Sequence, residues 1–130
     1  TIYRYKNNLD NGYIKQFIIK HFGECNLNLD SINGIVCVDK DKIIGCILYS
    51  NYQRNNIKYR YVDALAVDKK YRSMGIGSTL LKKVIESTNY SVRLSVDVKG
   101  KDYVFLISYY KKKGFKEVGK NILGNTIMEK

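Results

Sequence analysis

The sequence predicts an α/β (α+β) fold, a single sheet of about seven strands flanked by about three to four helices. Three observations point there. Extended, β-branched segments alternate with segments whose apolar residues recur at three- and four-residue spacing. A Gly-x-Gly turn, Gly75-Ile76-Gly77, joins a strand end to the start of an amphipathic helix. The chain has no proline, no repeat, no linker and no low-complexity block, so residues 1–130 read as one domain.

Residues 2–5 read as a first strand. Asp10 can cap a helix with apolar positions Tyr13, Ile14, Phe17, Ile18 and Phe22. Residues 26–33 are polar and leave room for one short helical turn at most. Residues 35–39 and 43–52 form a hairpin around Lys40-Asp41, and a turn at Asn55-Asn56 leads into a strand over 57–67. Ile76, Leu80, Leu81, Val84 and Ile85 then share one face of a helix ending near Ser87. A strand over 90–98 follows, rich in β-branched and aromatic residues. Asp102 is placed to cap a helix over 103–112, which Gly114 ends as a left-handed C′ residue. Strands over 115–118 and 125–129 close the order: strand, helix, three strands, helix, strand, helix, two strands.

Composition bounds the function. A hydrophobic fraction of 45% excludes a disordered chain. No apolar run is long enough to span a membrane, and no signal-peptide pattern opens the sequence. Net charge is +11, from 23 Lys and Arg against 12 Asp and Glu, which favours anionic ligands. The charges are scattered apart from Lys111-Lys112-Lys113 and form no basic arm, which argues against nucleic acid as the main partner. Cys25, Cys37 and Cys46 show no Cys-x-x-Cys spacing, and His21 is the only histidine, so no metal site is expected. An odd cysteine count without a framework points to a reducing, cytoplasmic compartment. Cys37 and Cys46, on neighbouring strands, read as packing residues.

The loop from Val67 to Ser78 has the chemistry of a phosphate seat. Glycines there remove the Cβ atoms that would keep a ligand from the backbone amides. The first turn of a helix has amides without internal partners and the positive end of the dipole. Arg72 adds a planar cation matched to phosphate oxygens. A Walker loop is absent, and a dinucleotide fingerprint would need glycine where the chain has Leu80.

Arg72-Ser73-Met74-Gly75-Ile76-Gly77 resembles the Arg/Gln-x-x-Gly-x-Gly/Ala signature of the GNAT superfamily of acyl-CoA-dependent N-acetyltransferases. Its flanks fit, with Ala64-Leu65-Ala66-Val67 before it and Leu80-Leu81 after it. Tyr109-Tyr110-Lys111-Lys112-Lys113-Gly114-Phe115 is similar to the family's Phe/Leu-Tyr-x-x-x-Gly-Phe segment, and Thr126 to Lys130 resembles its last strand. The resemblance implies a mixed, mostly antiparallel sheet splayed between strands 4 and 5. It implies acetyl-CoA as cofactor and transfer of acetyl to a primary amine, of a small molecule or a peptide, by direct attack in a ternary complex, on a monomer or homodimer.

Carried over residue by residue, Arg72, Ser73, Met74, Gly75, Ile76, Gly77 and Ser78 would hold the pyrophosphate, and Leu65, Ala66 and Val67 would flank the pantetheine arm. Tyr110 would face the thioester sulfur and give the departing thiolate a proton or a strong hydrogen bond; as a plain core residue it would pack its helix on the sheet. Strand alternation puts Tyr61 and Asp63 on one face, at positions similar to the amine site of arylalkylamine N-acetyltransferases. Asp63 would accept the amine's proton directly or through water, or simply attract a cationic amine; otherwise it is a solvated or ion-paired strand residue.

The match departs at several places. Lys69 stands where proline is common, and Ser73 where glycine is usual, which a turn tolerates if φ stays negative. Tyr103 and Leu106 replace an Asn and an Ala, and the stretch from Asp97 to Tyr110 is longer than usual. A non-catalytic CoA-binding regulatory module, and a polyanion binder driven by charge, are the competing functional classes.

Overall fold

A computed structural model describes the whole chain, Thr1–Lys130. Seven strands form one mixed sheet in the order β1-β2-β3-β4-β5-β7-β6. They are β1 (Ile2–Tyr5), β2 (Asn33–Asp39), β3 (Lys42–Arg54), β4 (Ile57–Val67), β5 (Ser91–Val96), β6 (Lys116–Lys120) and β7 (Thr126–Glu129), with helices α1 (Asn11–Phe22), α2 (Ile76–Glu86) and α3 (Tyr103–Lys112). The chain divides into two compact units, Thr1–Ser50 with Asp63–Asn89 and Asn51–Val62 with Tyr90–Lys130.

In the first unit β1 pairs with β2 and β2 with β3, all antiparallel. The β2–β3 turn has positive φ at both Lys40 and Asp41, the conformation whose twist matches the flanking strands. Ile14, Phe17 and Ile18 of α1 pack in one core with Val36, Cys46, Leu48 and Ala66 of the sheet and with Leu29 and Ile32 of the intervening segment. Tyr13 and Phe22, expected on the same apolar face, are exposed instead; they sit toward the two ends of α1, where no other element covers them. Cys37 and Cys46 are buried and unpaired, and burial pushes the Cys46 thiol up to about 12. They are packing residues.

The caps differ from expectation in detail. Asn7 caps a single 3-10 turn, Asn8–Asp10, and α1 continues from it. Asp10 occupies the cap position of α1 but makes no side-chain cap bond there. Its carboxylate reaches back to the Asn7 amide and takes a two-pronged bond from Arg4, at 2.7 and 2.9 Å. Asp102 likewise precedes α3 without a side-chain cap.

In the second unit β4 runs parallel to β5, with Tyr59, Arg60 and Tyr61 opposite Ser91, Val92 and Arg93. β5 pairs with β7, and β7 with β6, both antiparallel. Val92, Leu94 and Val96 alternate inward from β5 and share the buried set with Ile107, Phe115 and Met128. Positive φ at Asn55 and Asn56 forms the turn into β4, and Gly114 closes α3 at φ 96°.

Candidate active site

The glycine loop belongs to the first unit, and its approach is built before the glycines are reached. Asp68, buried just past β4, donates its amide to the Ile44 carbonyl at 2.7 Å. Its side chain accepts from the Lys70 amide at 3.3 Å, capping the 3-10 turn Lys69–Tyr71. That turn starts on Lys69, the position where proline is common in the family, and a first helical position is where proline fits. Lys20 of α1 lies 3.5 Å from Asp68, and the Tyr71 hydroxyl donates to Asp39 at 2.8 Å. These bonds fix the loop to α1 and the β2–β3 hairpin.

Arg72 Nε donates to the Val67 carbonyl at 3.2 Å, while the side chain stays exposed. The carbonyl of Val67, one of the residues expected to flank the pantetheine arm, is thereby engaged by the loop's own cation. Ser73 has φ 68°. The condition under which a turn tolerates serine here, a negative φ, is not met: the backbone keeps the left-handed turn that a glycine would provide, and a serine adopts it. Met74 is exposed, and Gly75, at φ 78°, is the N-cap of α2.

The first i→i−4 bond of α2 runs from the Thr79 amide to the Gly75 carbonyl at 2.9 Å, so the amides of Ile76 and Gly77 lie ahead of the ladder. A Cβ built on Gly75 would meet nothing within 4 Å, and one on Gly77 only Val67 Cγ2 at 3.6 Å, an ordinary contact. Gly75 is explained by its backbone angle. Gly77 is explained neither by angle nor by packing, and it sits in the first turn of α2, at the positive end of the helix. The residues therefore fit an anionic, phosphate-bearing group. Ile76 is buried on the other side, Ser78 is half-buried, and Ala66 is committed to the core while Leu65 and Val67 are half-buried.

Asp63 lies in the same unit. It is half-buried, and Ser50 of β3 donates to its Oδ2 at 2.8 Å. Burial holds its carboxyl above the usual carboxylate range, and the Ser50 hydrogen bond opposes that shift in part.

The second unit holds the two tyrosines. The Tyr61 hydroxyl is 2.6 Å from Ser95 Oγ on β5. Tyr110, near the end of α3, meets Tyr109 at 5.3 Å and Phe115 at 5.7 Å between ring centroids, both edge to face. The Phe115 amide donates to the Tyr110 carbonyl at 3.0 Å across the Gly114 turn, which brings Phe115 back onto Tyr110. Burial, with a smaller contribution from Tyr109, pushes the Tyr110 phenol up to about 12.

Tyr103, in place of the family's Asn, puts its hydroxyl 2.8 Å from Thr126 Oγ1, a buried group on β7. The longer stretch before α3 is two successive turns, closed by Gly100 N to Asp97 O and Tyr103 N to Gly100 O. Sequence reasoning missed Ser50 and Ser95, the hydroxyl partners of Asp63 and Tyr61. Neither belongs to a motif; cross-strand register alone could have found them. It also passed over His21, whose ring lies 4.4 Å from Phe17 and whose Nε2 is buried with no hydrogen-bond partner.

Comparison with known proteins agrees with this architecture. None of the curated proteins matches the sequence. Solved structures match over nearly the full chain. Arabidopsis thaliana Naa50, in complex with the bisubstrate analogue CoA-Ac-MVNAL, superposes with a TM-score of 0.80 at 18% identity, covering 100% of this chain and 99% of that one. Arabidopsis thaliana NAA60 with acetyl-CoA gives 0.80 at 16% identity, with 99% and 97% covered. Ard1 from Thermoplasma volcanium gives 0.74 at 23% identity, with 99% and 95% covered. These similarities share the fold. The family model described as "Acetyltransferase (GNAT) domain" matches residues 13–128, and the chain belongs to that family of GNAT acetyltransferases.

Proposed function

We propose that the chain, as one catalytic domain over residues 1–130, is an N-acetyltransferase that binds acetyl-CoA and passes acetyl to a primary amine by direct attack in a ternary complex. The observation that carries this reading is Gly77: a glycine that neither backbone angle nor packing requires, in the first turn of α2 among its N-terminal amides. The structures of Naa50 and NAA60 hold a CoA conjugate and acetyl-CoA, which supports the same ligand class here. The amides of Ile76, Gly77 and Ser78, with Arg72 and the Ser73-Met74-Gly75 turn, are the pyrophosphate seat, and the backbone of Leu65, Ala66 and Val67 flanks the pantetheine arm. Acetyl-CoA supplies the activated acyl thioester.

Asp63 takes the proton of the acceptor's ammonium. Its raised affinity for protons makes it a better base than an exposed aspartate. Tyr61 lines the amine side. An α-amino group, with pKa ~7.8, is neutral in roughly one molecule in seven at pH 7, a lysine side chain in about one in 2,500. A carboxylate base therefore suits α-amines better.

Tyr110 keeps its proton. Full transfer from a phenol near 12 to a thiolate whose acid has pKa ~8.5 would cost about 5 kcal/mol. Its part is a hydrogen bond donated to the leaving sulfur; the thiolate takes up, through solvent, the second proton that the amine nitrogen sheds as the amide forms. We place the protein in the cytoplasm, as a monomer or homodimer. The test is release of free thiol from acetyl-CoA across a panel of amines, with α-amino peptides expected ahead of lysine side chains. No release with any amine would contradict the assignment.

A further inference from the structure

We propose that Ser50 is the positioning residue of the acceptor site: its hydroxyl, bonded to Asp63 Oδ2, holds the carboxylate in place and leaves Oδ1 for the ammonium of a primary amine. The inference rests on the reading of Asp63 as the base.

Ser50 Oγ to Asp63 Oδ2 is 2.8 Å, and the hydroxyl has a single proton to give. That proton is committed to one oxygen, so the carboxylate is held through one edge. Asp63 makes no ion pair, although the chain carries a net charge of +11. The ion pairs of its unit lie elsewhere, at Thr1–Asp39, Arg4–Asp10, Lys20–Asp68 and Lys82–Glu86. From β3 the group facing Asp63 is Ser50; Tyr49 beside it points to the other face by alternation. On β4, alternation puts Tyr61 two residues before Asp63 on the same face, and its hydroxyl is engaged by Ser95.

A half-buried carboxylate with a hydroxyl partner and no cation is an incomplete ion pair, and the group that completes it is an ammonium. Burial favours the protonated carboxyl and Ser50 favours the ionised one, so Ser50 is the side chain that keeps Asp63 a base.

The experiment is a carbon-13 NMR titration of the Asp63 carboxyl in the free protein, paired with the pH dependence of kcat/KM for an α-amino tetrapeptide. Wild type is compared with Ser50→Ala, Ser50→Cys and Ser50→Thr. The Asp63 midpoint should rise by about one pH unit when the donor is lost or weakened, and threonine should restore it. The acidic limb of the rate profile should move up by the same amount. An Asp63 midpoint unchanged in both the alanine and cysteine variants overturns the inference while leaving Asp63 free to be the base. A midpoint that moves while the acidic limb stays put overturns the assignment of Asp63, and with it the part given to Ser50.

Discussion

Gly45 on β3 lies directly beneath Ile76, the first residue of α2: a Cβ on the glycine would meet Ile76 Cγ2 at 2.9 Å and Leu80 Cδ1 at 3.3 Å. The distance from helix to strand, and so the placement of the amides that open α2, depends on this absent methyl. Gly45→Ala should destabilise the fold by about 1–3 kcal/mol through overpacking. It should also weaken acetyl-CoA binding in the molecules that remain folded. Chemical denaturation alongside a binding titration checks both.

Ser73 has the opposite character. Its φ of 68° costs an L-residue roughly 1–2 kcal/mol relative to the right-handed region, a cost glycine avoids. Ser73→Gly should stabilise the protein by about 1 kcal/mol, less the extra entropy of glycine in the unfolded chain. The readout is the denaturation midpoint at constant m-value.

Tyr110→Phe separates an enzyme from a binding module. A hydrogen bond to a charged group is worth about 1.5–3 kcal/mol, so kcat should fall about 10- to 100-fold. The Kd for acetyl-CoA should stay where it is, because the ring contacts with Tyr109 and Phe115 survive. Unchanged turnover would remove Tyr110 from the chemistry.

His21 predicts a pH dependence of stability. Burial is the main reason its proton affinity lies below the ordinary histidine value, and nearby Arg72 and Lys20 add to it. As pH falls below about 6.5 the unfolded chain takes up a proton that the folded chain refuses. Stability should therefore drop from there down to the folded-state pKa and then level off. His21→Phe, which keeps a ring against Phe17, should flatten that part of the curve. Denaturation midpoints at a series of pH values from about 7 to 4.5 check the slope.

Much of this fold is legible in the residues, because its local signals agree. Gly114 ends α3 with positive φ, the Lys40-Asp41 and Asn55-Asn56 pairs form the hairpin turns, and Ile76, Leu80, Leu81 and Val84 are the buried face of α2. The glycine loop is legible for the same reason, since its chemistry sits in consecutive residues. What escapes is whatever depends on register or on coverage. Ser50 and Asp63 are thirteen positions apart and meet only once strands are paired. Tyr13 and Phe22 keep helical spacing, yet spacing does not say where the neighbouring elements stop. The sign of φ at Ser73 is not legible in the serine itself; the glycine usual at that position was the one signal of it.

The measurement closest to the central claim is calorimetric titration of the protein with acetyl-CoA at two salt concentrations, beside the variant Gly77→Glu. A carboxylate in the first turn of α2 suits the helix dipole, and its Cβ meets only Val67 Cγ2 at 3.6 Å, an ordinary contact, so the variant should stay folded, while its charge opposes a phosphate. The wild-type chain should bind saturably, one to one, in a way that survives higher salt, and Gly77→Glu should lose that binding with the melting temperature unchanged or raised. Binding that disappears with modest salt, or that Gly77→Glu leaves intact, would contradict the assignment of this loop as the coenzyme seat.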